Sequence, residues 1–148
     1  MIKKISILLL LFLYSCGYSA VYKNNSSQDY NMVILEMTGD NVMNKLIKNE
    51  LESNSNMNSK NNYAINLKTL YTKEIKSKNS SGVASNYEII IKASFGIDEE
   101  IITFEEKYIV KNISDPIEQQ NYENIIKKNF ASSIREKLII KLLSWDDN

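Results

Sequence analysis

The pattern of apolar residues predicts an α+β fold, a two-layer sandwich in which a four-stranded mixed sheet carries two helices on one face, in the order β-α-β-β-β-α. Three observations predict it. Period-two alternation with one polar face recurs in three successive segments, which is the signature of an antiparallel meander covered on one side only. Two other stretches, Asp40–Asn54 and Asp115–Ser144, repeat their apolar residues at helical spacing. The first of these lies between two strand-like segments, so it acts as a crossover and sets those strands parallel where they neighbour one another.

The first strand is expected over Tyr30–Met37, with Met32, Ile34 and Glu36 on one face and Val33, Leu35 and Met37 on the other. Because it is nearly apolar on both faces, it is expected inside the sheet. Gly39 ends it, and Asp40 is placed to cap a helix by accepting a free N–H of the first turn. Val42, Met43, Leu46, Ile47 and Leu51 then form one apolar stripe over Asp40–Asn54, read as core. Ser53–Asn62 is a polar, asparagine-rich loop.

Three alternating segments follow. Tyr63, Ile65, Leu67, Thr69 and Tyr71 share one face; Tyr87, Ile89, Ile91, Ala93 and Phe95 share the next; Ile102, Phe104, Tyr108 and Val110 share the third. Asn79-Ser80-Ser81-Gly82 and Gly96-Ile97-Asp98 supply turn residues. The second turn is short enough for a tight hairpin, whereas Lys76–Ser85 is expected to be a longer, mobile connection.

The last helix carries the strongest local signals. Asp115-Pro116-Ile117-Glu118 combines an N-cap, a proline at the first helical position and a glutamate able to close a capping box. Tyr122, Ile125, Ile126, Phe130, Ser133, Ile134, Lys137, Leu138 and Leu142 mark its packed face, with Ala131, Ser132 and Ser133 small enough for close approach. A helix of this length is expected to outrun the sheet at one end. It should stop near Trp145, because Asp146 and Asp147 oppose the negative end of a helix dipole. Trp145 is read as a cap on the core, and Arg135, the sole arginine, as a surface charge beside Glu136.

Ahead of all this stands a different kind of segment. Lys3 and Lys4 precede the run Ile5–Leu13, about half the roughly 20 apolar residues that a spanning helix needs, so it reads as a secretory leader. Leu13-Tyr14-Ser15-Cys16 resembles the bacterial lipobox, with the chain's one cysteine at the position that such a motif modifies. The resemblance implies cleavage after residue 15 and a diacylglyceryl thioether, with further acylation, on Cys16. Gly17 after it favours sorting to the outer membrane over inner-membrane retention. Residues 16–29 then form a polar, lipidated tether, and residues 30–148 a single domain.

Composition narrows the chemistry. Without histidine and with its cysteine committed, the chain assembles neither a histidine-dependent triad nor a Cys/His metal site. No cofactor is expected beyond the covalent lipid. The 18 basic residues balance the 18 acidic ones, and loss of Lys3 and Lys4 tips the remainder slightly acidic, so no positive field gathers nucleic acid.

Cys16-Gly17-Tyr18 with Tyr22 is similar to the Cys-Gly-aromatic start of the lipopolysaccharide-assembly lipoprotein LptE family, in its alphaproteobacterial branch. Tyr108-Ile109-Val110, Ser114-Asp115-Pro116 and the run Asn129–Leu138 resemble that family's C-terminal half. The resemblance implies a two-helix, four-stranded sandwich and a role that is not enzymatic. Such a protein sits as a plug in the outer-membrane β-barrel LptD, assists its assembly, helps insert lipopolysaccharide into the outer leaflet and binds lipopolysaccharide. It would be anchored on the periplasmic face. Lys73, Lys76 and Lys78 are the local candidates for pairing with lipid A phosphates; the alternative is a solvated hairpin end. Two other classes stay open: an envelope lipoprotein acting as a transporter accessory subunit or periplasmic binding module, and a membrane-anchored hydrolase, which the missing histidines disfavour.

Overall fold

Alternation runs further along this chain than its turn residues suggest, and the sheet is taller for it. The computed structural model describes residues 30–53 and 55–146. Its elements are β1 (Tyr30–Gly39), α1 (Asn41–Glu52), β2 (Asn61–Lys78), β3 (Ala84–Ile97), β4 (Glu100–Lys111) and α2 (Pro116–Asp146). The sheet order is β1-β2-β3-β4. β1 runs parallel to β2, as a helical crossover requires, and β2, β3 and β4 form successive antiparallel hairpins. This is the predicted mixed sheet with two helices.

Both helices cover the face that carries Ile65, Leu67, Ile89, Ile91, Phe95 and Val110, all buried. α1 adds Met43, Ile47 and Leu51 to that core, and α2 adds Ile126, Phe130, Ala131, Ile134, Leu138 and Leu142. Phe95 meets Phe104 edge-on, with ring centroids 6.1 Å apart. Trp145 packs against the core from the end of α2, as its position predicted.

Both caps form. Asp40 Oδ1 accepts from the Met43 N–H at 2.8 Å, and Asp115 Oδ1 accepts from Ile117 and Glu118 at 2.8 and 3.1 Å. Val42, expected in the α1 stripe, is 48% exposed, so that stripe is narrower than its spacing implied. The buried polar residue of α1 is Asn44, whose Oδ1 lies 2.8 Å from the Thr69 hydroxyl.

Several expectations are corrected. β1 is an edge strand, not an interior one, and Val33 and Leu35 stand 48% and 66% exposed. Among the described residues its free side is covered near its start alone, where Asn56 N–H donates to the Tyr30 carbonyl and Ser55 Oγ accepts from Met32 N–H. The register also jumps between Ile34 and Glu36, so Leu35 bulges out. That extra residue resets the alternation: Met37 turns to the core side opposite Leu67, and Glu36 to the open side opposite Asn66.

The connection expected over Lys76–Ser85 shrinks, because β2 continues to Lys78 and β3 begins at Ala84. Asn79 organises the turn, with its side-chain oxygen accepting from Ser81 and Val83 N–H groups at 3.0 and 2.9 Å. At the next hairpin Gly96 lies within β3, and Asp98 takes the left-handed conformation with φ 52°. Aspartate tolerates that region better than most residues.

α2 does not outrun the sheet. Its 31 residues span about 46 Å, whereas the 18 residues of β2 span roughly 60 Å. Gln119 near one end of α2 is buried, and Trp145 at the other is packed. Tyr122 and Ile125, expected on its packed face, stand outside it at 43% and 54% exposure. Arg135 pairs with Glu136 at 3.6 Å, as expected, but it is half-buried and its Nε finds no hydrogen-bond partner among the described residues.

Candidate functional site

The surfaces available for recognition follow from the one-sided cover of the sheet. The face away from the helices carries Lys68, Leu70, Lys92, Ser94, Thr103, Glu105, Lys107 and Ile109 in cross-strand register. Glu105 bridges two of its lysines: Lys92 reaches its carboxylate at 3.2 Å and Lys107 at 3.5 Å, while Ser94 and Thr103 share a hydrogen bond of 2.9 Å. The hydrogen bond from Lys92 holds the Glu105 carboxyl below its ordinary range. Leu70, Ile101 and Ile109 are exposed among these groups. The face is therefore broad, mixed in sign and studded with apolar side chains.

The candidate phosphate ligands do not converge. Lys73 stands opposite Ile89, on the helix-covered side of the sheet, and donates to Glu123 of α2 at 2.5 Å while lying 4.2 Å above the Tyr87 ring. Lys76 is the extra residue of a register shift and pairs with Glu88 at 2.9 Å on the open side. Its hydrogen bond is the first reason that the Glu88 carboxyl lies below its ordinary range. Lys78 pairs in register with Ala84 at the hairpin end and is exposed. Cys16, the candidate lipidation site, lies outside the described residues.

Lys73 belongs to one of two clamps that hold α2 across the sheet. Glu123 accepts from Lys73, from the Tyr71 hydroxyl at 3.0 Å and from Gln119 Nε2 at 2.7 Å. Glu106 of β4 accepts from Ser133 at 3.0 Å, from Lys137 at 2.5 Å and from the Tyr108 hydroxyl. Burial works to raise both carboxyls, but these donors outweigh it and hold each below the ordinary 4.5. Burial and the neighbouring carboxylate push the Tyr71 and Tyr108 hydroxyls up.

A depressed carboxyl contributes stability that is complete above its unfolded value and is lost as pH falls through its folded value. Melting temperature should therefore fall as pH is lowered through and below the ordinary carboxylate range, and a Glu106→Gln/Glu123→Gln variant should show a shallower fall from a lower starting point. An equally steep drop in the variant would remove the clamps as its cause.

Among the described residues no group of three His, Cys, Asp or Glu side chains is placed to hold a metal. No helix there is long and apolar enough to cross a membrane. Helical spacing does not single out the outer flank of α2, where Ile140 and Leu143 are exposed at 68% and 52%. Their three-residue spacing, repeated by Tyr122 and Ile125, was the available signal.

No protein-family model and no curated protein matches the chain. Solved structures do. A lipoprotein B from Nitrosomonas europaea superposes with a TM-score of 0.55 at 9% identity, over 85% of this chain and 92% of that one. The rare lipoprotein B from Shewanella oneidensis gives 0.49 at 13% identity, over 78% and 98%. A minor lipoprotein from Acinetobacter baumannii gives 0.48 at 12% identity, over 71% and 91%. At these identities the likeness is one of architecture, and the chain shares its fold with the Nitrosomonas protein.

Proposed function

We propose that this protein is an outer-membrane lipoprotein, tethered through Cys16 on the periplasmic face, that acts without catalysis as the plug and assembly partner of the LptD β-barrel and so helps insert lipopolysaccharide into the outer leaflet. The observation that carries the reading is the fold shared with the Nitrosomonas protein, which is itself named a lipoprotein, on a chain whose leader ends in Leu13-Tyr14-Ser15-Cys16. The open sheet face supports it further. A barrel lumen is polar, and the Lys92–Glu105 pair and the Ser94–Thr103 hydroxyls give this face polar groups suited to such a wall. The inventory of side chains fits the reading to this extent, that no histidine is present to build a histidine-dependent triad.

The test is detergent extraction of the lipidated protein from its native envelope. A large β-barrel should co-purify in stoichiometric amount; recovery of the lipoprotein alone would refute the plug. For lipopolysaccharide contact, Lys76→Gln/Lys78→Glu is the informative variant, since it removes both charges without setting a carboxylate against Glu88, and it should weaken lipopolysaccharide binding at unchanged melting temperature. Lys73→Glu is unsuitable, because it sets a second carboxylate against Glu123 and loosens α2. Unchanged binding in the Lys76/Lys78 variant would exclude the hairpin end as the contact.

A further inference from the structure

The helix α2 carries a second stripe that the other described residues leave uncovered. Ile126, Phe130, Ile134 and Leu138 go to the core, while Tyr122, Ile125, Ile140 and Leu143 remain 43%, 54%, 68% and 52% exposed. A helix lying on one layer needs one apolar stripe, and this one has two. Asn129, Ser132 and Glu136 continue the outer stripe between its apolar ends, at the three- and four-residue spacing of a helix–helix seam.

Run in the opposite direction, the stripe matches itself. Two copies laid antiparallel about Ser132–Ser133 bring Tyr122 to Leu143, Ile125 to Ile140 and Asn129 to Glu136. The apolar ends meet apolar ends, the amide of Asn129 faces a carboxylate that accepts from it, and the small Ser132 at the crossing point lets the helices approach. We propose that the free protein forms a two-fold dimer through antiparallel pairing of the α2 helices of two copies, an isologous contact of the commonest kind. A bilayer surface suits the stripe less well, because it would draw the Asn129 amide and the Glu136 carboxylate, between the apolar ends, into an apolar boundary.

The seam covers about 22 residues, or roughly 33 Å of helix, which gives less contact than the roughly 800 Å² per partner of a standard stable complex. The dimer is therefore weak and reversible. This inference goes beyond the plug reading and does not depend on it: it concerns the protein before any larger partner is met.

The full chain carrying Cys16→Ser, which receives no lipid, tests it. Added to that background, Ser132→Cys should form disulfide-linked dimers under mild oxidation. A mixture of Tyr122→Cys chains with Leu143→Cys chains should cross-link better than Tyr122→Cys chains alone, as only an antiparallel pair allows. Ile125→Glu, or Ile140→Glu as a second variant, should cut the Ser132→Cys yield about tenfold at unchanged melting temperature, since both side chains are exposed. The proposal is overturned if Ser132→Cys cross-links no faster than Lys48→Cys on the far helix, if neither glutamate variant lowers the yield, or if Tyr122→Cys pairs best with itself. Binding of the same chain to phospholipid vesicles that is lost in the glutamate variants, with no cross-linked dimer, would assign the stripe to a lipid surface and likewise overturn it.

Discussion

Alanine at Gly39 is expected to destabilise the protein by at least about 3 kcal/mol, near the top of the range for single substitutions. Gly39 closes β1 with φ +95°, a conformation that costs an L-residue about 1–2 kcal/mol. Space is the larger obstacle. A Cβ there would lie 1.8 Å from the Thr69 carbonyl oxygen and 2.8 Å from its carbonyl carbon, both backbone atoms of β2. Thr69 has little freedom to yield. Its carbonyl accepts from the Asp40 N–H at 3.3 Å, and its hydroxyl lies 3.1 Å from the Asp40 carbonyl oxygen and 2.8 Å from Asn44 Oδ1. Asn44 in turn donates to the Thr38 carbonyl. The strand end, the helix cap and the neighbouring strand are thus one hydrogen-bonded knot, and a methyl group at its centre forces all three apart. Urea denaturation of the Cys16→Ser chain measures the loss; a change below about 1 kcal/mol would show that the junction is far more pliant than this geometry allows.

Phe130→Ala carries the other large effect, a loss of about 3–5 kcal/mol. Phe130 is fully buried at the middle of α2, in the same core as Phe95, Ile134 and Leu138. Removing the ring leaves a cavity that close-packed neighbours fill only in part. Tyr122→Ala supplies the internal comparison, since it lies on the same helix, is also aromatic, and is 43% exposed. It should cost well under half as much. The two variants measured by denaturant titration, with slopes equal to the parent's, separate the inner stripe of α2 from the outer one. Equal losses would mean that the outer stripe is covered within the monomer, which would also remove the basis for pairing between copies.

The Phe130 and Tyr122 comparison shows what patterning reads well and where it fails. Both residues fall on helical spacing, so the existence and extent of α2 were legible, along with its Asp115 cap. Which of its residues face the sheet was not, because α2 has apolar residues on two flanks and spacing alone ranks neither. The same limit applies to β1. Alternation identified the strand, but apolar side chains at Val33 and Leu35 suggested a central position, and pairing to β2 alone left it at the edge. The bulge at Leu35 reversed the faces of Glu36 and Met37, and nothing local to those residues announces it.

The candidate lysines repeat the lesson. Lys73, Lys76 and Lys78 are close in sequence and read as one patch. A strand sends successive side chains to opposite faces, and the shift near Lys76 scrambles even that alternation. Glu123 and Glu88, far from them in the chain, then occupy two of the three. Charge on a strand is local, whereas its partners are not.

The sequence by itself determined the element types, their order, the caps of both helices and the parallel crossover, because backbone periodicity and capping hydrogen bonds act over a few residues. Only the tertiary structure decided that β1 is an edge, that α2 keeps a bare outer stripe and that Lys73 is clamped to a helix. Those outcomes depend on which distant segments pair, and the free energy that selects a pairing belongs to the packed whole.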